Sequence, residues 1–96
     1  MPTYVIVNAA VTDPDLLTAY RAAAPASFEG HDVTVRVSSN EAETIEGEPV
    51  GSRVVVLEFP DRAAFQAWYD SPGYQEIIDM RLQSTQGFMV VVEGRG

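Results

Sequence analysis

The stretch Arg53-Val54-Val55-Val56-Leu57-Glu58-Phe59-Pro60-Asp61 decides how this chain folds. Residues 53–59 are rich in β-branched and aromatic side chains, and Pro60-Asp61 stops them abruptly, which reads as a strand running into a helix capped by Asp61. Successive strand residues point to opposite faces, so Arg53, Val55, Leu57 and Phe59 share one face and Val54, Val56 and Glu58 the other. A face that is apolar apart from its first residue suits a packed layer. The opposite face mixes valines with a carboxylate.

Similar strands flank this one. Residues 3–9 place Val5, Val7 and Ala9 opposite Tyr4, Ile6 and Asn8, and residues 33–38 place Val33, Val35 and Val37 opposite Thr34, Arg36 and Ser38. Between these two, Asp13-Pro14 opens a helix with Leu16, Leu17, Tyr20, Ala23 and Ala24 at helical spacing, and Pro25 breaks it or forces its last turn. Residues 40–51 are polar and acidic, with a short edge strand proposed at 43–46. After Asp61 the helix carries Ala64, Phe65, Trp68 and Tyr69. Ser71-Pro72-Gly73 interrupts it and starts another, with Tyr74, Ile77, Ile78 and Leu82 as its stripe. Gly87 is read as closing that helix before a last strand at 88–93.

The order β-α-β-β-α-β predicts an α+β, ferredoxin-like sandwich: one domain over residues 1–96, an antiparallel four-stranded sheet, both helices on one face. The other face is then bare, too apolar for open water and too polar for a plain core. A second copy of the sheet covers such a face, so the expected assembly is a homodimer, face to face, enclosing a partly polar cavity.

Composition sets the outer limits. The 96 residues hold no cysteine, one histidine and no lysine, and the formal charge is −8. Disulfides and thiolate chemistry are excluded, and so strong an acidity disfavours nucleic acid and anionic membranes as partners. With no long apolar run and no basic leader, a cytoplasmic location is expected.

Glu58-Phe59-Pro60, Trp68-Tyr69, Ser71-Pro72, Tyr74, Arg81 and the closing Glu93-Gly94 resemble, as a set, the uncharacterised bacterial family filed as domain of unknown function 1330, within the dimeric α/β-barrel superfamily. The pattern is E-F-P, W-Y-x-S-P-x-Y, six residues, R, then V-E-G, and it spans essentially the whole chain. Around the second strand the family carries a glycine-rich pattern resembling H-G-G-R-Y…R-G-G. Here Arg36 matches, while most of the glycines and the aromatic residue do not. The resemblance implies a ferredoxin-like fold and a dimer whose sheets form a barrel. It implies no settled activity.

Two clusters are candidates for chemistry. Asn8, Arg36 and Glu58 are placed on adjacent strands of the bare face, where Glu58 would be a positioned base and Arg36 an oxyanion-stabilising group, these two being the catalytic candidates. The alternative is a structural Glu58–Arg36 ion pair satisfied by Asn8, in a non-catalytic structural or regulatory dimer. Trp68, Tyr74 and Arg81 form the second cluster: with Asn8 they are the ligand-binding candidates, Arg81 for a ligand carboxylate and Tyr74 at the pocket mouth. The competing reading makes the aromatic residues packing and pairs Arg81 with an acid. His31 is expected to be a solvated loop residue. Relatives in the superfamily that ligate haem need a well-placed axial histidine, and His31 is poorly situated for one. The acidic run 41–48 lacks EF-hand spacing, and no phosphate-binding or nucleophile-elbow motif occurs. The expectation is a small organic acid or aromatic molecule held in the cavity at the sheet face of the dimer, and the resemblance to a superfamily that includes small monooxygenases and isomerases implies turnover of that kind, without cofactor or metal.

Overall fold

A computed structural model describes residues 1–95. The elements are β1 (Thr3–Val11), α1 (Pro14–Ser27), β2 (Thr34–Ser39), β3 (Arg53–Phe59), α2 (Arg62–Tyr69), α3 (Pro72–Gln75), α4 (Ile78–Ser84) and β4 (Thr85–Glu93). The strands form one four-stranded antiparallel sheet in the order β2-β3-β1-β4. The backbone is a slab, 31 × 31 × 15 Å, as one sheet and one helix layer require.

Local chemistry starts the helices where the caps stand. Asp13 accepts a hydrogen bond from the Leu16 amide, Asp61 from that of Ala64, and Ser71 from that of Tyr74. Each satisfies a backbone donor that the first helical turn leaves free. Pro25 lies inside α1, which ends two residues later at Ser27, so it sits in the last turn.

The helices cover the face carrying Val5, Val7, Ala9, Leu57 and Phe59, and these pack with Phe65, Trp68 and Tyr74 as the buried core. The aromatic residues stack closely; the Trp68 and Tyr74 ring centroids are 4.0 Å apart. The opposite face carries Tyr4, Ile6, Val54 and Val56, continued on β4 by Phe88, Val90 and Val92, which are paired with Asn8, Ile6 and Tyr4. Phe88, Val90 and Val92 are 47%, 43% and 44% exposed, an apolar surface that the chain itself leaves uncovered.

Four local expectations are corrected. The alternation of β2 breaks at a bulge: Val35 pairs with Leu57 but Val37 with Val56, leaving Arg36 as the extra residue. Val37 therefore joins the bare face, and Ser38 moves to the helix side. Residues 43–46 form no strand; they lie exposed in a loop whose base is tied by the Ala42 amide to the Ser52 carbonyl. The helix predicted after Ser71 divides into α3 and α4, and Leu82 is exposed rather than on the buried stripe. Gly87 lies inside β4, opposite Ala9, rather than closing a helix. Its place there is steric: a Cβ at Gly87 would collide with the Asn8 carbonyl oxygen and with Ala9.

Candidate functional site

The sheet delivers Arg36 and Glu58 to each other. Thr34 pairs with Glu58, and Arg36, two residues on, reaches the same carboxylate, its Nε donating to Glu58 Oε1 at 3.0 Å. Arg36 is 54% and Glu58 26% exposed, so water screens this pair in the single chain.

Asn8 does not join them. It pairs with Val54 while Glu58 pairs with Tyr4, a separation of four residues, or about 13 Å of strand. Its amide is committed elsewhere: Nδ2 donates to the carbonyls of Gly51 and Arg53, and Oδ1 accepts from the Val50 amide. Asn8 thus fastens the loop leading into β3.

Trp68, Tyr74 and Arg81 do come together, on the helix side. Arg81 Nε donates to the Tyr74 hydroxyl at 3.1 Å, and that hydroxyl shares a 2.9 Å hydrogen bond with the Tyr20 hydroxyl. Tyr74 is fully buried, behind Tyr20, and so does not stand at the pocket mouth as the sequence predicts. Trp68 donates from Nε1 to Ser27 Oγ at 3.2 Å, which holds its ring against the end of α1.

In front of this group lies a cavity of about 250 Å³ between α1 and the sheet. Buried Val7, Leu17, Leu57 and Trp68 form its floor, and exposed Arg21, Val35 and Ser38 its mouth. Tyr20 and Arg81 line it as well. Burial, and after it the neighbouring Tyr74, push the Tyr20 hydroxyl far above the usual phenol range, so it stays neutral and available to donate. Arg81, Tyr74 and Tyr20 thereby form a hydrogen-bonded chain from a cation to the cavity, and each link polarises the next.

Sequence reasoning missed Tyr20 and Arg53. Tyr20 falls in the apolar stripe of α1 and reads as packing. Arg53 falls on the inward face of β3, in phase with Val55, Leu57 and Phe59, and a guanidinium on a face otherwise made of core residues was the available signal. Arg53 is only 5% exposed and lines the cavity, with Nη1 donating to Asn40 Oδ1 at 2.8 Å. His31 lies in the turn after α1, its amide donating to the Phe28 carbonyl, away from the cavity lining.

One antiparallel sheet, helices on one face only and a cavity between the two layers define an α+β protein of ferredoxin-like fold. The chain belongs to the family described as domain of unknown function (DUF1330), whose sequence pattern matches residues 2–95. No curated protein matches the sequence. Among solved structures it is similar to a protein of unknown function from Rhodopseudomonas palustris, with a TM-score of 0.75 and 18% identity over 99% of this chain and 83% of that one. It is also similar to a dimeric ferredoxin-like protein of unknown function from Jannaschia sp. CCS1, with a TM-score of 0.66 and 18% identity over 98% of this chain and 100% of that one. A third is SnoaB, a cofactor-independent oxygenase from Streptomyces nogalater, with a TM-score of 0.65 and 14% identity over 99% of this chain and 94% of that one. At these identities the likeness is one of fold.

Proposed function

We propose that this chain is one half of a homodimer that binds a small, largely apolar organic molecule between α1 and the sheet and acts on it without a bound cofactor. The observation that carries the reading is the cavity with the Arg81–Tyr74–Tyr20 chain at its wall. A neutral hydroxyl backed by a guanidinium stabilises negative charge on a ligand oxygen, such as that of an enolate or phenolate. The fold shared with a cofactor-independent oxygenase is consistent with this and adds only analogy.

The homodimer is proposed through the bare sheet face, because among the described residues Phe88, Val90 and Val92 there are exposed and Ile6 and Val56 only partly buried. Light scattering should give about twice the 10.5 kDa chain mass, and Val90→Glu should lower it toward one chain; a 10.5 kDa species for the unmodified protein at micromolar concentration would sink the dimer. For the cavity, 2-naphthol titrated against ¹⁵N-labelled protein should shift resonances of Tyr20, Trp68 and Arg81. Shifts confined to the bare face, or none, refute binding in the cavity.

A second reading is favoured by the Arg36–Glu58 pair, which stands at the bare face where a partner sheet would enclose it. A non-catalytic dimer using this pair for register predicts that Glu58→Gln and Arg36→Met weaken dimerisation and leave naphthol binding untouched.

A further inference from the structure

The charge lining the cavity runs against that of the protein as a whole. The chain carries 14 acidic and 6 basic residues, yet the cavity is lined by Arg21, Arg53 and Arg81 and, among the described residues, by no Asp or Glu. Arg21 stands exposed at the mouth and Arg81 is committed through Nε to Tyr74. Arg53 is the exception: it is 5% exposed, it lines the cavity, and its one side-chain hydrogen bond among the described residues goes to the neutral amide of Asn40. The one ion pair among the described residues is Arg36–Glu58, on the other face of the sheet, so no carboxylate balances Arg53.

A guanidinium does not escape burial by losing its proton. Burial and, second, the facing Arg21 charge both push the Arg53 pKa down, which is the mark of a cation held where its charge is opposed. A buried ion without a counter-ion is costly, and sites built to receive the counter-ion as a ligand are where such a cost persists.

We infer that Arg53 is the anchor for a ligand carboxylate, and that the cavity takes an organic carboxylic acid with its apolar body on the Trp68 and Leu57 floor. The inference rests on the cavity reading proposed above and narrows it to a substrate class. A carboxylate is planar and matches the fork of a guanidinium, and the apolar walls fit a molecule charged at one end only. Arg21 at the mouth draws the anion in without being buried by it.

The test compares 2-naphthoate with its neutral isostere 2-naphthamide by calorimetry and by ¹⁵N spectra that include the arginine Nε–H groups, on the full chain at pH 7.5. Naphthoate should bind about 10- to 100-fold more tightly than the amide and shift the Arg53 Nε–H resonance, the range expected of a charge-assisted hydrogen bond. Arg53→Gln should abolish the preference by bringing naphthoate binding down to that of the amide, and Arg53→Lys, which keeps the charge but not the fork, should keep part of it. Equal binding of both compounds, or a preference that survives Arg53→Gln, overturns the carboxylate anchor and leaves the cavity reading standing. Failure of both compounds to bind overturns both.

Discussion

A side chain that burdens the fold for the sake of a ligand leaves a thermodynamic signature, and Arg53→Met is the substitution that exposes it. Methionine has a similar reach and an adaptable thioether, so the floor of the cavity keeps most of its packing. The substitution removes the Nη1–Asn40 hydrogen bond, a loss of about 1 kcal/mol, and Asn40 is exposed, so its freed oxygen is taken up by water. Against this stands the release of a buried, unpaired guanidinium. Such a charge costs several kcal/mol when fully dry, and roughly 2–3 kcal/mol here because water enters the cavity from its mouth. The expected net effect is a ligand-free protein more stable by about 1–2 kcal/mol. For a chain of this length that is a rise in Tm of roughly 4–16 °C, or about 0.5–1 M in the urea midpoint. Urea denaturation followed by Trp68 emission, at fixed protomer concentration, measures it. A midpoint that falls by the equivalent of about 1 kcal/mol or more would identify Arg53 as a structural strut and refute the reasoning.

Three further outcomes follow from the same geometry. Tyr74→Phe strands the Arg81 Nε–H and the Tyr20 hydroxyl, and should cost about 1–3 kcal/mol in thermal denaturation; a cost under about 0.5 kcal/mol would mean the hydroxyl chain does not matter to the fold. The Tyr20 hydroxyl is harder to ionise in the folded than in the unfolded chain, where its pKa is about 10, so its stabilisation is complete below that pH and is lost as pH rises above it. Urea midpoints at pH 9, 10 and 11 should therefore decline, and Tyr20→Phe should flatten the decline; an equal slope in the variant refutes the assignment. Gly87→Ala must displace the Asn8 carbonyl or Ala9, and should destabilise by about 1–3 kcal/mol, whereas a neutral result would mean β1 and β4 can separate freely there.

Most of the fold was legible because its signals are local. Asp13, Asp61 and Ser71 are the caps their sequence positions indicate, and the alternation in residues 3–9 and 53–59 matches the buried and bare faces. What escaped depends on pairing between distant segments. Nothing near Arg36 announces a bulge, because the bulge is a mismatch between β2 and β3 rather than a property of β2. Gly87 resembles a helix stop until Asn8 and Ala9 are placed beside it. The site followed the same rule. Arg36–Glu58 was legible from strand order, while Tyr74 and Arg81 meet even though the single helix expected to align them divides into α3 and α4. Tyr20 was hidden because a tyrosine in an apolar stripe looks like packing until a second hydroxyl is found against it. Arg53 belongs to the strongest strand in the sequence, and its charge was overshadowed by the apolar run that follows it.

The bulge in β2 also bears on how the protein avoids unwanted association. β2 is an outer strand of the sheet, and a straight outer strand is a template on which further chains can add, backbone to backbone, without limit. Inserting Arg36 bends that strand and puts its two halves out of phase, so an incoming strand finds no continuous ladder. A molecule with a bare apolar face has reason to associate. The disrupted β2 edge works against fibre growth on that side, whereas the pairing of sheets proposed above would be closed and self-limiting.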